Sequence, residues 1–221
     1  MTNLPDSEQT APLVKRSVLV VDDHPLIRQG LAMLINQQDD MRVAMQCIVQ
    51  LTPDAVILDL SLNGQNGLDL LKTIRATNPD LPVLVLSMHD EGIYAERAVR
   101  AQANGYIMKQ EATEKVLVAL RRILNGEVYL SDAMSKKMVQ QFVEGTPAVP
   151  ELRIASLSDR ELEVFGRIGE GQGTRQIAEE LQLSVKTVET YQAHIKQKLG
   201  LKSGRELIQH AIQWKIKENA R

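Results

Sequence analysis

Four short apolar runs in this chain each end in a residue that can carry charge or bond a phosphate. Val18-Leu19-Val20-Val21 runs into Asp22-Asp23, and Ala55-Val56-Ile57-Leu58 runs into Asp59. Val83-Leu84-Val85-Leu86 ends in Ser87, and Gly105-Tyr106-Ile107-Met108 ends in Lys109. Gathered at one place, three carboxylates, a hydroxyl and an ammonium suit a hard cation together with a phosphoryl group. The oxygens hold the cation, and the ammonium and hydroxyl meet the phosphoryl oxygens.

The runs themselves say how such a gathering arises. Short β-branched segments closed by a polar residue read as buried parallel strands. In an open α/β sheet the carboxyl ends of the strands share one edge, where ligands bind. Helical apolar spacing appears at Ile27, Leu31, Leu34 and Ile35, then at Leu68, Leu71 and Ile74. It returns at Val116, Leu117, Leu120, Ile123 and Leu124, where Asn125-Gly126 supplies a stop signal. Strands alternating with helices predict βα units around a parallel sheet. Asp132 to Val143 reads as one more helix, and Gly145 to Pro150 as a linker.

One crossover is too short for that plan. With strand two at Val43–Cys47 and strand three beginning at Ala55, only Ile48 to Asp54 connect them. The connection must run back about 17–20 Å. As a helix these residues reach about 10 Å, and extended they reach about 24 Å. The second crossover helix is therefore predicted to be missing or reduced to a turn.

Composition bounds the rest. The chain has 221 residues, 43% hydrophobic and 24% charged, which suits one or two globular domains. No apolar run approaches the roughly 20 residues of a membrane span, so no membrane partner is expected. Met1 to Arg16 lacks a signal-peptide core and reads as a flexible tail. Cys47 is the single cysteine, which leaves no intrachain disulfide and points to the cytoplasm. It reads as a small buried side chain. The net charge of −2 hides an asymmetry: residues 1–150 hold 14 Lys+Arg against 18 Asp+Glu, and residues 151–221 hold 12 against 10.

That basic excess falls on a helical region. Ser158-Asp159-Arg160-Glu161 is a capping-box pattern opening a helix with Leu162, Val164, Phe165 and Ile168. Gly169, Gly171 and Gly173 end it, and Thr174 is expected to cap a helix carrying Ile177, Ala178 and Leu181. After a tight turn, Ser184 caps a third helix from Val185 to about Leu199, where Gly200 stops it; a fourth follows from Gly204 to Ile216. Two short helices joined by a tight turn describe a helix-turn-helix. Val188, Ile195 and Leu199, with Tyr191 or Gln192, form the buried stripe of the third helix. Lys186, Thr187, Glu189, Thr190, Ala193 and Gln197 face outward, small or polar enough to enter a major groove. Lys186, Lys196 and Lys198 at its margins are expected to meet phosphates.

With these residues in view, the chain resembles bacterial two-component response regulators of the NarL/FixJ (LuxR-type helix-turn-helix) family. The segments VLVVDDHP, VILDL, VLVLS and GYIMK carry the first part of the resemblance. LSDRELEVF and IAEELQLSVKTVETYQAHIKQKLGLKS carry the second, and the whole spans residues 17 to about 215. It implies a flavodoxin-like, doubly wound α/β receiver with a five-stranded parallel sheet, here with a shortened second crossover, plus a small all-α helix-turn-helix domain. Residues 1–16 would be tail, 17–130 receiver, 131–156 helix and linker, and 157–221 the DNA-binding domain.

The resemblance also implies roles. Asp59 is the phosphorylation site, charged by a sensor histidine kinase. Asp22, Asp23, Asp59 and the main-chain carbonyl of Ser61 hold Mg²⁺. Ser87 and Lys109 bind the phosphoryl group, and Tyr106 is a switch that turns inward when Ser87 is recruited. Phosphorylation relieves receiver–output contacts and favours a homodimer on a double-stranded DNA operator. The implied function is regulation of transcription, without enzyme activity of its own. His24, His89 and His210 read as structural, and His194 as a packing or phosphate-side residue. Asn63 stands where the family usually has proline, and Gln110 where many receivers, though not all of this subclass, have it.

Two other functions are compatible with parts of the chain. A regulator of the same build could bind DNA without phosphorylation if the short crossover makes the receiver degenerate. A phosphohydrolase could use Asp59 as nucleophile. Haloacid-dehalogenase-like phosphatases carry a second aspartate two positions on as general acid, and Ser61 stands there instead.

Overall fold

Alternating side chains in β1 (Arg16–Val21) already assign two covered faces to a sheet. The computed structural model describes residues 14–44, 52–62, 65–88, 91–144 and 154–219. After β1 come α1 (Pro25–Asn36), β2 (Met41–Ala44) and β3 (Ala55–Asp59). A two-stranded hairpin, β4 (Ser61–Leu62) and β5 (Gln65–Asn66), leads into α2 (Gly67–Thr77). Then follow β6 (Val83–Ser87), α3 (Glu91–Arg100), β7 (Gly105–Met108), α4 (Ala112–Leu124) and α5 (Asp132–Glu144). The five long strands are all parallel, in the order β2-β1-β3-β6-β7.

β3 and β6 are buried along their whole length, as central strands covered on both faces must be. Val18, Ile57, Leu84, Leu86 and Ile107 pack under α1 and α4 with Ile35, Val116 and Leu120. Leu19, Val56, Leu58, Val83 and Val85 pack under α2 and α3 with Leu71, Tyr94 and Ala95. The alternation within each strand is the period of two that a pleated sheet imposes. Asp54 fixes the start of β3 beside β1. Its carboxylate accepts from the Ser17 N–H at 2.7 Å and the Ser17 hydroxyl at 2.9 Å, with Arg16 at 3.1 Å.

Three differences from the sequence reading stand out. β2 begins at Met41, two residues earlier than expected, because Met41 is wholly buried and pairs with Arg16. The end of the expected strand and most of the short crossover, residues 45–51, lie outside the described residues, as do Asn63, His89 and the linker 145–150. Helix α3 carried no recognised signal: its buried side chains are Tyr94, Ala95 and Ala98, and two alanines make a weak apolar stripe.

The carboxy-terminal unit contains α6 (Asp159–Gly169), α7 (Thr174–Glu180), α8 (Val185–Leu199) and α9 (Gly204–Asn219). The capping box at Ser158 and Glu161 is formed in both directions. Ser184 Oγ accepts from the Thr187 N–H at 3.0 Å and so caps α8. Gly200, at φ 71°, closes α8 in the left-handed conformation that glycine tolerates. Thr174 is the first residue of α7 rather than its cap; Gly173 takes the cap position without a side-chain bond. Phe165 and Trp214 join α6 to α9, their ring centroids 5.4 Å apart.

Candidate functional site

Parallel register brings the four predicted strand ends to one edge. Asp59 pairs with Leu86 and Ser87 with Met108, so Asp59, Ser87 and Lys109 lie within about a residue of the same level. Lys109 follows β7 directly, and Asp22 and Asp23 follow β1. The Lys109 ammonium sits 2.8 Å from Asp22 Oδ2 and 2.7 Å from Asp59 Oδ2, with all three side chains almost fully buried. The other oxygen of Asp59 accepts from the Ser61 N–H at 3.0 Å. Behind it, a Cβ on Gly67 would collide with the Asp59 carbonyl and with Leu60, so only glycine lets α2 start this close to the site.

Ser87 is fully buried, and Tyr106 is buried on the face that Val85 shares, against α2 and α3. The Tyr94 hydroxyl on α3, in the same layer, is pushed well above its ordinary range by burial.

The site is short of positive charge. Asp22, Asp23, Asp59 and the His24 imidazole each offer a ligand atom, all within 4.8 Å of one another. Against three carboxylates the buried counter-charge among the described residues is Lys109. Burial pushes the Asp59 carboxyl above its ordinary range; Lys109 and the Ser61 N–H oppose this, and neighbouring Asp22 adds to it. A divalent cation would relieve that strain, and oxygen donors with one half-open carboxylate suit Mg²⁺.

The sequence assigns His24 a structural role, whereas the structure brings its imidazole into this cluster. Its Nδ1 lies 3.0 Å from Asp22, 2.7 Å from Asp23 and 3.3 Å from Lys109. Its backbone N–H donates to Asp22 at 2.7 Å, and Arg28 donates to the Asp22 carbonyl at 2.7 Å. Position next to two aspartates was the available signal for His24; nothing in the sequence marked Arg28.

On α8, Val188, Ile195 and Leu199 are buried and Tyr191 and Gln192 are half-buried, as the spacing predicts. Lys186, Glu189, Thr190, Ala193 and Gln197 are exposed on one side, and Lys196 is half-buried. Two residues differ from expectation. Thr187 is half-buried, with its hydroxyl 2.7 Å from Ser184 in the cap. Lys198 turns to Glu161 at 2.6 Å, so a phosphate contact by Lys198 would compete with a carboxylate. His194 lies 3.7 Å from that same carboxylate.

The two units touch through a polar contact that no sequence signal marked. Asp159, at the start of α6, accepts from Lys72 of α2 and from Arg97 of α3, each at 2.7 Å. Arg97 also donates to the Leu157 carbonyl at 2.7 Å, and Asn66 donates to Glu163 at 2.9 Å.

A carboxylate–lysine pocket on the carboxyl edge of a parallel sheet, joined to a helix-turn-helix, defines a two-component type of switch. Residues 18–121 match the response regulator receiver domain, and residues 155–211 match the luxR family of bacterial regulatory proteins. The chain belongs to the two-component response regulators that join a receiver domain to a LuxR-type DNA-binding domain. It is 38% identical to the oxygen regulatory protein NreC of Staphylococcus carnosus, over 90% of this chain and 98% of that one. NreC of Staphylococcus aureus strain MRSA252 is 36% identical, over 91% and 99%. Among solved structures, a LuxR-family response regulator from Aurantimonas sp. SI85-9A1 covers 59% of this chain and 99% of its own, with 27% identity and a TM-score of 0.54. RcsB from Salmonella enterica serovar Typhimurium, bound to a promoter with a phosphomimetic, shares the fold over 90% of this chain and 98% of its own. Its TM-score is 0.61 and its identity 22%.

Proposed function

We propose that phosphorylation of Asp59 by a sensor histidine kinase controls sequence-specific binding of this protein to an operator, and through it transcription. The carrying observation is the Lys109 ammonium held between buried Asp22 and Asp59 at the carboxyl edge of the sheet. Domain limits of 17–130 for the receiver and 157–221 for the DNA-binding unit, with helix and linker over 131–156, fit the matched segments and the position of α5.

Asp22, Asp23, Asp59 and the Ser61 carbonyl would hold Mg²⁺, whose charge would neutralise the oxygens of the transferring phosphoryl group. An Asp59 oxygen forms the bond to phosphorus as the donor's bond to phosphorus breaks, the electron pair leaving with the donor. Lys109 turns from the carboxylates to a phosphoryl oxygen, and the Ser87 hydroxyl bonds another. Tyr106 shares the Val85 face with Ser87, so a moved hydroxyl is passed to α3 through packing. No carboxylic acid stands two positions after Asp59: Ser61 there offers a backbone N–H, which supports a switch over a phosphohydrolase.

On the DNA side, Glu189, Thr190 and Ala193 would read base edges, with Thr187 near the groove and Lys186, Lys196 and Lys198 near phosphates. These readers are exposed while the two units are in contact, which favours control through dimerisation over control by covering α8. Exposed Ile208, Ile212 and Ile216 form a stripe on α9 that a homodimer would bury. A protein that meets a kinase and DNA this way works in the cytoplasm; no helix among the described residues is long and apolar enough to cross a membrane.

The test is labelling with acetyl phosphate and Mg²⁺. Asp59→Asn should abolish it, because an amide is a poor nucleophile. Equal labelling of variant and parent would overturn the assignment of Asp59.

A further inference from the structure

A cavity of about 530 Å³ lies between the units, and its two walls come from different halves of the molecule. Asp23, His24, Ser61 and Gln110 on the rim of the Asp59 site line one side. Leu162, Glu163, Gly166 and Arg167 of α6 line the other. The DNA-binding unit therefore walls a cavity that borders the Asp59 site through Asp23, His24 and Ser61, with Asp59 itself set behind that rim.

Charge pairs join this wall to the receiver beside a hydrophobic cluster that includes residues of both units, among them Leu68, Tyr94, Leu162 and Phe165. Asp159 joins α2 and α3 at once through Lys72 and Arg97, and its side chain is only 17% exposed. Glu163, on the cavity wall, takes bonds from Asn66 at 2.9 Å and Arg160 at 3.0 Å, and Arg160 reaches back to Asp69 at 3.2 Å. The cavity volume equals that of a sphere about 10 Å across, while a single helix with its side chains measures about 10–12 Å. It lies within the size range of small-molecule pockets, about 300–1,000 Å³.

We propose that the DNA-binding unit is a size filter on phosphodonors. With the Asp159 contact closed, a small acyl phosphate reaches Asp59 through the cavity, and a phosphohistidine borne on a folded protein reaches it only after Asp159 releases Lys72 and Arg97. This rests on the reading of Asp59 as phosphoacceptor. The chemistry is the same for both donors: the Asp59 oxygen bonds phosphorus as a P–O bond breaks toward the carboxylate of the acyl group, or a P–N bond toward imidazole. The filter acts on access. By linkage, a protein donor that needs the open arrangement also stabilises it.

The experiment compares the full chain with Asp159→Asn, and with a second variant carrying Lys72→Ala and Arg97→Ala. Each receives either acetyl phosphate or a phosphohistidine-bearing four-helix phosphotransfer domain, and initial rates of Asp59 phosphorylation are read on phosphate-affinity gels. In both variants the rate from the protein donor should rise about tenfold, a typical coupling, while that from acetyl phosphate stays within about twofold. The unchanged rate with acetyl phosphate also reports that the receiver is folded. A similar rise with both donors, or no rise with the protein donor, overturns the filter. No label on the parent from acetyl phosphate overturns the acceptor reading, and the filter with it.

Discussion

Burial and the nearby Asp22 keep the Asp59 carboxyl above its ordinary range even with Lys109 2.7 Å away. That direction has a stability consequence. A carboxyl whose folded pKa is raised favours the fold below its unfolded value, and this contribution is lost as pH rises through the folded value. At neutral pH the ionised group is therefore a net cost to the fold. Asp59→Asn should raise the unfolding midpoint by a few degrees at neutral pH in metal-free buffer, and the gain should vanish under acid conditions. Adding Mg²⁺ should narrow the difference, since the cation stabilises the parent more than the variant. Calorimetry checks this; a lower midpoint for the variant would mean that Lys109 depends on Asp59 more than Asp59 suffers from its neighbours.

At the scale of elements, α8 offers a separation of roles. Changing Glu189 or Thr190 should alter operator preference by roughly 1–3 kcal/mol per base pair read. Lys186→Ala or Lys196→Ala should weaken all sequences about equally and reduce the salt slope by about one unit. Lys198→Ala should have a smaller effect on DNA and also loosen α6, because its ammonium serves Glu161. Binding curves on a randomised duplex pool at several salt concentrations measure all of these. Sequence preference shifting with the lysines and not with Glu189 or Thr190 would contradict the docking. These elements were legible because their signals are local: apolar runs for strands, Ser158 and Ser184 for caps, Gly200 for a stop. Helix α3 was not, since alanines at Ala95 and Ala98 give little contrast. His24 is not legible in the sequence, because a histidine beside a strand end has no pattern of its own until the fold brings Asp23 and Lys109 to it. Asp159 read only as part of a capping pattern, and its partners Lys72 and Arg97 lie 87 and 62 residues away in sequence.

Across the whole molecule, the elements around the Asp59 site and the DNA-binding unit share one polar seam. Asn66 caps α2 just after the loop that follows Asp59 and also bonds Glu163. Arg97 extends from α3, the helix that Tyr106 packs beneath, to Asp159 and the Leu157 carbonyl. On the proposed reading, a phosphoryl group that moved Ser87 and Tyr106 would act on the same helix that holds the seam, and it would need only to favour an open arrangement in equilibrium with the closed one. The isoleucines on α9 are already exposed in the closed arrangement and would serve the proposed pairing on two half-sites. The most direct measurement is operator affinity of the full chain with and without beryllofluoride and Mg²⁺, run beside Asp59→Asn at the same salt concentration. The structure leads us to expect tighter binding on addition of the phosphoryl mimic, accompanied by dimer formation, with Asp59→Asn unresponsive. Equal affinity with and without the mimic, in a protein that acetyl phosphate labels at Asp59, would contradict the account.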